Sequence, residues 1–248
     1  MSYGVFSQYY DRLMTDADYP GKARFIVDIL ESIKPGCSLV VDLACGTGSL
    51  SAQLSALGYD MIGVDQSVEM LSAAREKSPA QLFLCQSMQK LDLYGTVDAV
   101  VCALDSVNHV TDPAALERAF SRVALFLEPD GVFIFDANTP YKHASILADN
   151  AFVYDLGDLF CCWQNSTDGA MTTISLDFFE RDGDAYYRSS ESFRERAYSR
   201  EELADMLSRA GLRIEREYDD YTLSPVSATT QRAVYVCRKT SCPASQLA

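Results

Sequence analysis

The sequence predicts an α/β fold, a doubly wound and mostly parallel sheet of about seven strands that carries an inserted antiparallel β cap. Short apolar runs alternate with helical segments over residues 1–139 and again over residues 197–240. A glycine-containing turn joins the first apolar run to the helix that follows it. Between these two parts, residues 152–195 are rich in strand-forming residues and contain no convincing helix. Alternation favours a parallel sheet with helices on both faces, and the helix-free segment favours a separate antiparallel sheet.

The composition is that of an acidic globular protein. Hydrophobic residues make up 48% of the 248 residues, which is enough to build a buried core. Lys and Arg number 21 against 35 Asp and Glu, so the net charge is −14. Proteins that bind nucleic acid gain much of their affinity from basic patches, so no nucleic-acid partner is expected.

The cysteines and histidines predict reduced thiols and no metal site. None of the eight cysteines forms a Cys-x-x-Cys pair, and the chain has only two histidines. Cys85 and Cys102 lie inside apolar runs and are expected to be buried.

No segment of the sequence indicates a membrane or an export signal. No apolar run reaches the roughly eighteen residues that a membrane-spanning helix needs. The first residues, Met1–Gly4, lack the basic and then apolar layout of a secretory signal. The protein is therefore expected to be cytoplasmic and free of membrane, and its oligomeric state is left open.

The N-terminal residues predict two helices. The helices break near Pro20-Gly21, and Pro35-Gly36 ends the second one. Helix and strand signals then alternate. Ser67 is expected to cap one helix, Asp112-Pro113 to begin another, and residues 129–131 to form a turn. The five strands predicted in this part lie at residues 38–43, 59–65, 80–85, 97–103 and 132–136.

The second half begins with β-rich pieces at residues 160–164, 172–179 and 185–187, separated by Asp-Gly turns. A capping box, Ser199–Glu202, opens the next helix. Two strands follow, near residues 213–218 and 232–237, and the tail 241–248 is predicted to fray.

The turn between the first strand and its helix, Asp42–Gly48, carries the chemistry. Asp65 ends the next strand and lies 65 − 42 = 23 residues after Asp42, a spacing suited to an acidic residue that binds ribose hydroxyls. A dinucleotide would need a third glycine where Ser51 stands, and its pyrophosphate would be repelled by Asp42. A ligand with an ammonium or sulfonium group suits that carboxylate better, which favours S-adenosylmethionine over NAD.

Asp42–Gly48 resembles the first motif of the class I S-adenosylmethionine-dependent methyltransferases, a Rossmann-like family. The resemblance covers most of the chain, and the β-rich segment is similar to the cap of members that act on small molecules. Four further segments are similar to the family's ribose strand, its substrate-facing fourth strand, its fifth strand and an N-terminal lid: Gly63–Leu71, Asp98–His109, Leu127–Asp136 and Tyr9–Met14.

This resemblance implies a methyltransferase domain at residues 1–139 and 197–240, with a helical lid at 1–35 and the cap at 140–196. It places the methionine end of the cofactor at Asp42 and the glycine loop, and the ribose at Asp65. One departure is Ser87, where many members have an aspartate. The cofactor-binding residues that it implies are Tyr10, Asp42, Ala44, Cys45, Gly46, Thr47, Gly48, Asp65, Gln66, Met70, Ser87, Met88 and Leu104.

The reaction expected from this resemblance is in-line transfer of a methyl group to a small-molecule acceptor, with release of S-adenosylhomocysteine. An amine is one candidate class of acceptor. Asp105, His109 and Tyr10 are the candidate catalytic residues, because a base is needed when the acceptor carries a proton. Two alternatives stay open, an NAD-dependent oxidoreductase and a non-catalytic module that binds a nucleoside.

Overall fold

The computed structural model describes residues 6–240 and contains two β-sheets. The main sheet has the strand order β10-β11-β5-β4-β1-β2-β3, in which β1–β5 are parallel and β11 runs antiparallel to both of its neighbours. The strands are β1 Leu39–Leu43, β2 Asp60–Asp65, β3 Leu82–Cys85, β4 Val97–Cys102, β5 Leu127–Asn138, β6 Ala151–Asp155, β7 Leu159–Asp168, β8 Met171–Asp182, β9 Ala185–Arg196, β10 Leu212–Asp219 and β11 Arg232–Lys239.

The helices begin where the sequence places capping residues. The Ser67 side chain accepts the Met70 N–H, Asp112 caps the helix that starts at Pro113, and Ser199 and Glu202 form a reciprocal capping box. The helices are α1 Phe6–Leu13, α2 Tyr19–Ile33, α3 Ser49–Ala56, α4 Val68–Lys77, α5 Pro113–Phe126, α6 Pro140–Lys142 and α7 Arg200–Arg209, with a π-helical turn at His143–Leu147 after α6.

Helices cover both faces of the main sheet, as a doubly wound fold requires. On one face, α5 and α7 contribute residues such as Phe120 and Leu207 to a core that includes Phe133. On the other face, α2 and α3 pack Ile26 and Leu54 against the same strands. The predicted fold class is confirmed. Within residues 6–240, no helix is both long and apolar enough to cross a membrane.

Strands β6–β9 form the predicted antiparallel cap as a four-stranded meander. Helix α1 packs on this cap through an apolar cluster that includes Phe6 and Phe178, and the Phe6 N–H donates to Glu191 at 2.8 Å. The same helix reaches the main domain, because Asp11 accepts the Thr47 hydroxyl at 2.7 Å and forms an ion pair with Lys77 at 2.5 Å. Helix α1 therefore contacts both the cap and the glycine loop.

Some local expectations were wrong or incomplete, and others lie outside the described residues. Residues 129–131 lie within the span of β5, but the pairing with β4 passes from Val97–Leu127 to Ala99–Val132, so the predicted turn takes the form of a bulge that adds three residues to β5. Cys85 is exposed because β3 is an edge strand, whereas Cys102 in the central strand β4 is buried. Strand β6 was not expected as a separate element. The predicted fraying of residues 241–248 and the first five residues of the predicted lid lie outside the described part of the chain.

Candidate active site

The loop between β1 and α3 has a backbone shape that leaves it open to a ligand. Ala44, Gly46 and Gly48 all have positive φ angles, of 62°, 54° and 73°. At Gly48, a Cβ atom would also lie 3.0 Å from the Ala74 Cβ atom of α4, so glycine lets α3 start close to α4. The loop therefore depends on glycine both for its backbone shape and for helix packing.

The Asp65 carboxylate holds this loop against the end of β2. One of its oxygen atoms accepts the Gly46 N–H at 2.9 Å, and the other accepts the Ser67 N–H at 2.8 Å. Asp65 is only 8% exposed. This burial raises the pKa of its carboxyl, and the two N–H donors oppose the rise. Each oxygen atom keeps lone pairs that can accept a ribose hydroxyl.

Asp42 lies at the end of β1 and is buried. It accepts the Ser51 hydroxyl at 2.5 Å, and burial raises its pKa to about 6. Asp42 lines a small cavity of about 40 Å³ together with Tyr10 and Tyr19. A buried carboxylate beside aromatic hydroxyls suits the ammonium end of a ligand.

A larger cavity of about 510 Å³ runs over the carboxyl ends of the parallel strands and continues beneath the cap. Nine of the predicted cofactor-binding residues line it, and Asp105 and His109 line it as well. The nine are Tyr10, Ala44, Gly46, Asp65, Gln66, Met70, Ser87, Met88 and Leu104.

Four predicted cofactor residues do not line this larger cavity. Asp42 and Cys45 line the smaller cavity instead. The Thr47 side chain faces helix α1 and donates to Asp11, and Gly48 forms the N-cap of α3 against α4. The structure therefore leaves Thr47 and Gly48 only a backbone role in shaping the loop.

The loop after β4 brings Asp105 to the cavity in a strained backbone conformation. Leu104 and Asp105 have positive φ angles of 56° and 51°, and both of their N–H groups donate to the buried carboxylate of Asp136. Arg232 bridges Asp105 and Asp136, with both nitrogen–oxygen distances at 2.6 Å. Although burial opposes it, the Arg232 guanidinium is the main cause that holds the pKa of Asp105 below its usual range.

His109 reaches two carboxylates in the cavity. Its Nε2 atom lies 3.9 Å from Asp105 and 3.7 Å from Glu195, while burial lowers its pKa. Oxygen and nitrogen atoms of these three residues lie within 4.8 Å of one another, a spacing that could also hold a metal ion.

Several cavity residues were not identified from the sequence. Glu195 comes from β9 in the cap, Lys142 from α6 and Arg232 from β11, and Trp163 and Phe193 form part of an aromatic wall. Strand alternation could have placed Phe193 and Glu195 on one face of β9, but it does not show what that face contacts.

The residues at the nucleoside end fit S-adenosylmethionine. Asp65 offers acceptors to ribose hydroxyls, the side chains of Met70 and Met88 offer apolar surface to a base, and Asp42 offers charge to an ammonium group. The fold and the cavity thus define an α/β enzyme that binds a nucleoside and has room for a second molecule under its cap.

Comparisons with known proteins agree with this class. A family described as "Methyltransferase domain" matches residues 40–131. The protein YqeM of Bacillus subtilis (strain 168) is 33% identical over 245 residues, which cover 96% of this chain and 98% of YqeM. The solved structure of an S-adenosylmethionine-dependent methyltransferase from Clostridium acetobutylicum ATCC 824 has a TM-score of 0.88, with 33% identity over 96% of this chain and 99% of that one.

A more distant structure shares the fold. The sugar N-methyltransferase KedS8 from Streptoalloteichus sp ATCC 53650 superimposes with a TM-score of 0.81 at 22% identity, over 95% of this chain and 93% of KedS8. The chain belongs to the class I S-adenosylmethionine-dependent methyltransferases, and S-adenosylmethionine is its cofactor.

Proposed function

We propose that this enzyme methylates a small molecule that binds beneath the β cap. One observation carries the proposal: a single cavity of about 510 Å³ is lined at one end by Asp65 and Met88 and at the other by Trp163, Phe193 and Glu195. A cofactor at the nucleoside end would leave the capped end for the acceptor.

The proposed cofactor contacts follow the lining of the two cavities. Asp65 accepts the ribose hydroxyls, and Asp42 attracts the ammonium group of the methionine end. Met70 and Gln66 cover one face of the adenine, Met88 covers the other, and Ser87 replaces an aspartate near its amine. Ala44, Cys45, Thr47 and the two glycines shape the loop through their backbone, and Leu104 borders the reacting end.

S-adenosylmethionine supplies a methyl group that a positive sulfur atom already activates. The protein's own contribution is to hold the acceptor in line and to exclude water. We assign Tyr10, which lines both cavities, to closing the lid over this junction. His109 faces the acceptor. Asp105 keeps its charge through Arg232, so its proposed role is to orient the loop rather than to take a proton.

The acceptor class that we favour is an amine. The capped end combines aromatic side chains with the carboxylates of Asp105 and Glu195, a combination that suits a cation with an apolar body. KedS8, whose fold is similar, is described as a sugar N-methyltransferase.

The two alternatives have less support. A dinucleotide would place a pyrophosphate near the buried Asp42, and Ser51 both replaces the third glycine and donates to that carboxylate. A binding-only module would need no acceptor space, whereas this cavity continues past the loop of Asp105 and His109 to the cap.

The test is incubation of the enzyme with a metabolite pool and S-adenosylmethionine that carries an isotopically labelled methyl group. Mass spectrometry should find the label in a small molecule and should find S-adenosylhomocysteine in equal amount. Label that appears only in protein or nucleic acid would contradict the proposal.

A further inference from the structure

We propose that Glu195 binds the acceptor as an ammonium ion and takes its proton, so that the free amine is the group methylated. The inference rests on the proposed function and identifies a residue and a substrate charge for its acceptor site. Glu195 belongs to the cap strand β9, lines the cavity, and is only 3% exposed.

The first argument is a balance of charges around the capped end of the cavity. Arg232 pairs with both Asp105 and Asp136, and Lys142 adds a second positive charge near the same group. Arg232 also lies 4.0 Å from the exposed Asp220, so three carboxylates face two cations before Glu195 is counted, and the capped end carries an excess of negative charge. A ligand with a positive charge would reduce this excess.

The second argument is the set of groups that touch the Glu195 carboxylate. Among the described residues, its partners within ion-pair distance are His109 at 3.7 Å and His143 at 3.6 Å, and its hydrogen-bond donor is the Asn138 amide at 3.4 Å. Burial lowers the pKa of both histidines, for His143 to about 4, so both are neutral at pH 7. Among residues 6–240, no lysine or arginine therefore lies within ion-pair distance of Glu195; Lys142, which donates to the Asn138 side chain at 2.9 Å, acts on Glu195 from farther away.

His143 supports Glu195 from behind. Its Nδ1 atom lies 2.9 Å from the Thr172 hydroxyl, which fixes the ring, and its buried Nε2 atom has no hydrogen-bond partner among residues 6–240. That nitrogen lies nearest the Glu195 carboxylate, at 3.6 Å. The fixed ring keeps Nε2 facing the Glu195 carboxylate, so a short movement of the carboxylate would complete a hydrogen bond between them.

The electrostatics of the site suit a base. Burial is the largest cause that raises the pKa of Glu195, and Asp105 adds to it, while Asn138, Lys142 and Arg232 oppose the rise. Together these causes raise the pKa of Glu195 to about 8, so the group takes a proton from an ammonium ion more readily than an ordinary carboxyl does, and a bound ammonium ion favours its ionised form.

The proton and electron balance is complete with these groups. An N–H proton moves from the ammonium ion to Glu195, which frees the nitrogen lone pair. That pair forms the bond to the methyl carbon as the carbon–sulfur bond breaks and its electrons stay on sulfur. The product is a methylated ammonium ion, and Glu195 later releases its proton to water.

The chain offers a direct readout of binding, since Trp163 is its single tryptophan and lines the same cavity. With protein saturated by S-adenosylhomocysteine, Trp163 fluorescence can be titrated at pH 8 with benzylamine, cyclohexylamine and isoamylamine. Each amine is compared with the alcohol of the same carbon skeleton. Wild-type protein should bind at least one amine about tenfold tighter than its alcohol, as expected for a buried charge pair.

Glu195→Gln should abolish this preference for amines, and Glu195→Asp should keep part of it. Glu76→Gln removes a carboxylate from the exposed side of α4 and should behave as wild type. Unchanged S-adenosylhomocysteine affinity in each variant shows that it is folded. The inference would be overturned if Glu195→Gln preferred amine over alcohol as strongly as wild type does, or if wild type showed no such preference.

Two further results separate this inference from a metal-binding role of the same residues and from the proposed function. Amine binding should not change with magnesium or with EDTA; a strict need for a divalent ion would assign Glu195, Asp105 and His109 to a metal instead. A labelled product that is not an amine would leave the proposed methyltransferase function intact and would overturn the role of Glu195. Failure to label any small molecule would contradict the proposed function itself.

Discussion

The Asp65 carboxylate accepts the Gly46 N–H at 2.9 Å, so the end of β2 fixes the loop that follows β1. Gly46 follows β1 and Asp65 ends β2, and the carboxyl ends of these neighbouring parallel strands meet at one edge of the sheet. One side chain therefore shapes the loop and also faces the cavity. This double use ties the shape of the loop to the cofactor end of the cavity.

Replacing Asp65 by alanine should weaken binding of S-adenosylmethionine by about 1–3 kcal/mol, because charge-assisted hydrogen bonds to the ribose are lost. Isothermal titration calorimetry measures this change. Asp60→Asn, an exposed position at the start of β2, is the matched control and should bind normally. Equal affinities of the Asp65 variant and wild type would contradict the ribose assignment.

Asp42 should make cofactor affinity depend on pH. Burial raises its pKa to about 6, so the carboxylate that attracts the ammonium group forms only as pH rises through that value. Affinity for S-adenosylmethionine should therefore increase between about pH 5 and 7. Asp42→Asn should bind more weakly and lose the increase, and calorimetry across this range checks both. A flat wild-type profile would exclude Asp42 from the ammonium contact.

Glu195 should lower folding stability at alkaline pH in the absence of ligand. Its pKa is raised above the ordinary value of 4.5 because burial disfavours the charged form. The contribution of protonated Glu195 to the free energy of unfolding is therefore fully present at acid pH, and it is lost as pH rises through the raised pKa. The melting temperature of Glu195→Gln, relative to wild type, should increase from about pH 5 to pH 9. A difference that stays constant would show that Glu195 does not ionise in this range.

Phe6→Ala should detach helix α1 from the cap. Phe6 is buried against Phe178 and Phe193, with ring centroids 6.3 and 6.0 Å away, and removing a buried ring costs about 3–5 kcal/mol. The amides of residues 6–13 should exchange with deuterium at least about tenfold faster, while the core strands stay protected. Tyr94→Ala changes a fully exposed ring and is the control. Uniform acceleration over the whole chain would mean that α1 is not a separate lid.

The sequence predicts the cofactor end better than the acceptor end, and the reason is distance along the chain. Asp42 and Asp65 end adjacent strands of a regular β/α pattern, so their meeting point follows from the pattern alone. Glu195 meets His109 across 195 − 109 = 86 residues, and that contact depends on how the cap packs over the main sheet. Alternation along β9 assigns Glu195 a face but no partner.

Arg232 is a second residue whose partners could not be predicted from the sequence. It lies on β11, pairs with Asp136 on the adjacent strand β5, and reaches past β5 to Asp105 in the loop after β4. No local spacing marks this arginine, because its partners come from β5 and from the loop after β4. Its ion pairs also change the expected role of Asp105, whose pKa they lower.

The crystal structure of the protein with S-adenosylhomocysteine tests the central claim most directly. The account predicts ribose hydroxyls on the Asp65 carboxylate, the amino group near Asp42, adenine beside Met88, and the sulfur atom facing the cavity that Glu195 lines. A nucleoside bound elsewhere, or a ribose that does not touch Asp65, would contradict it.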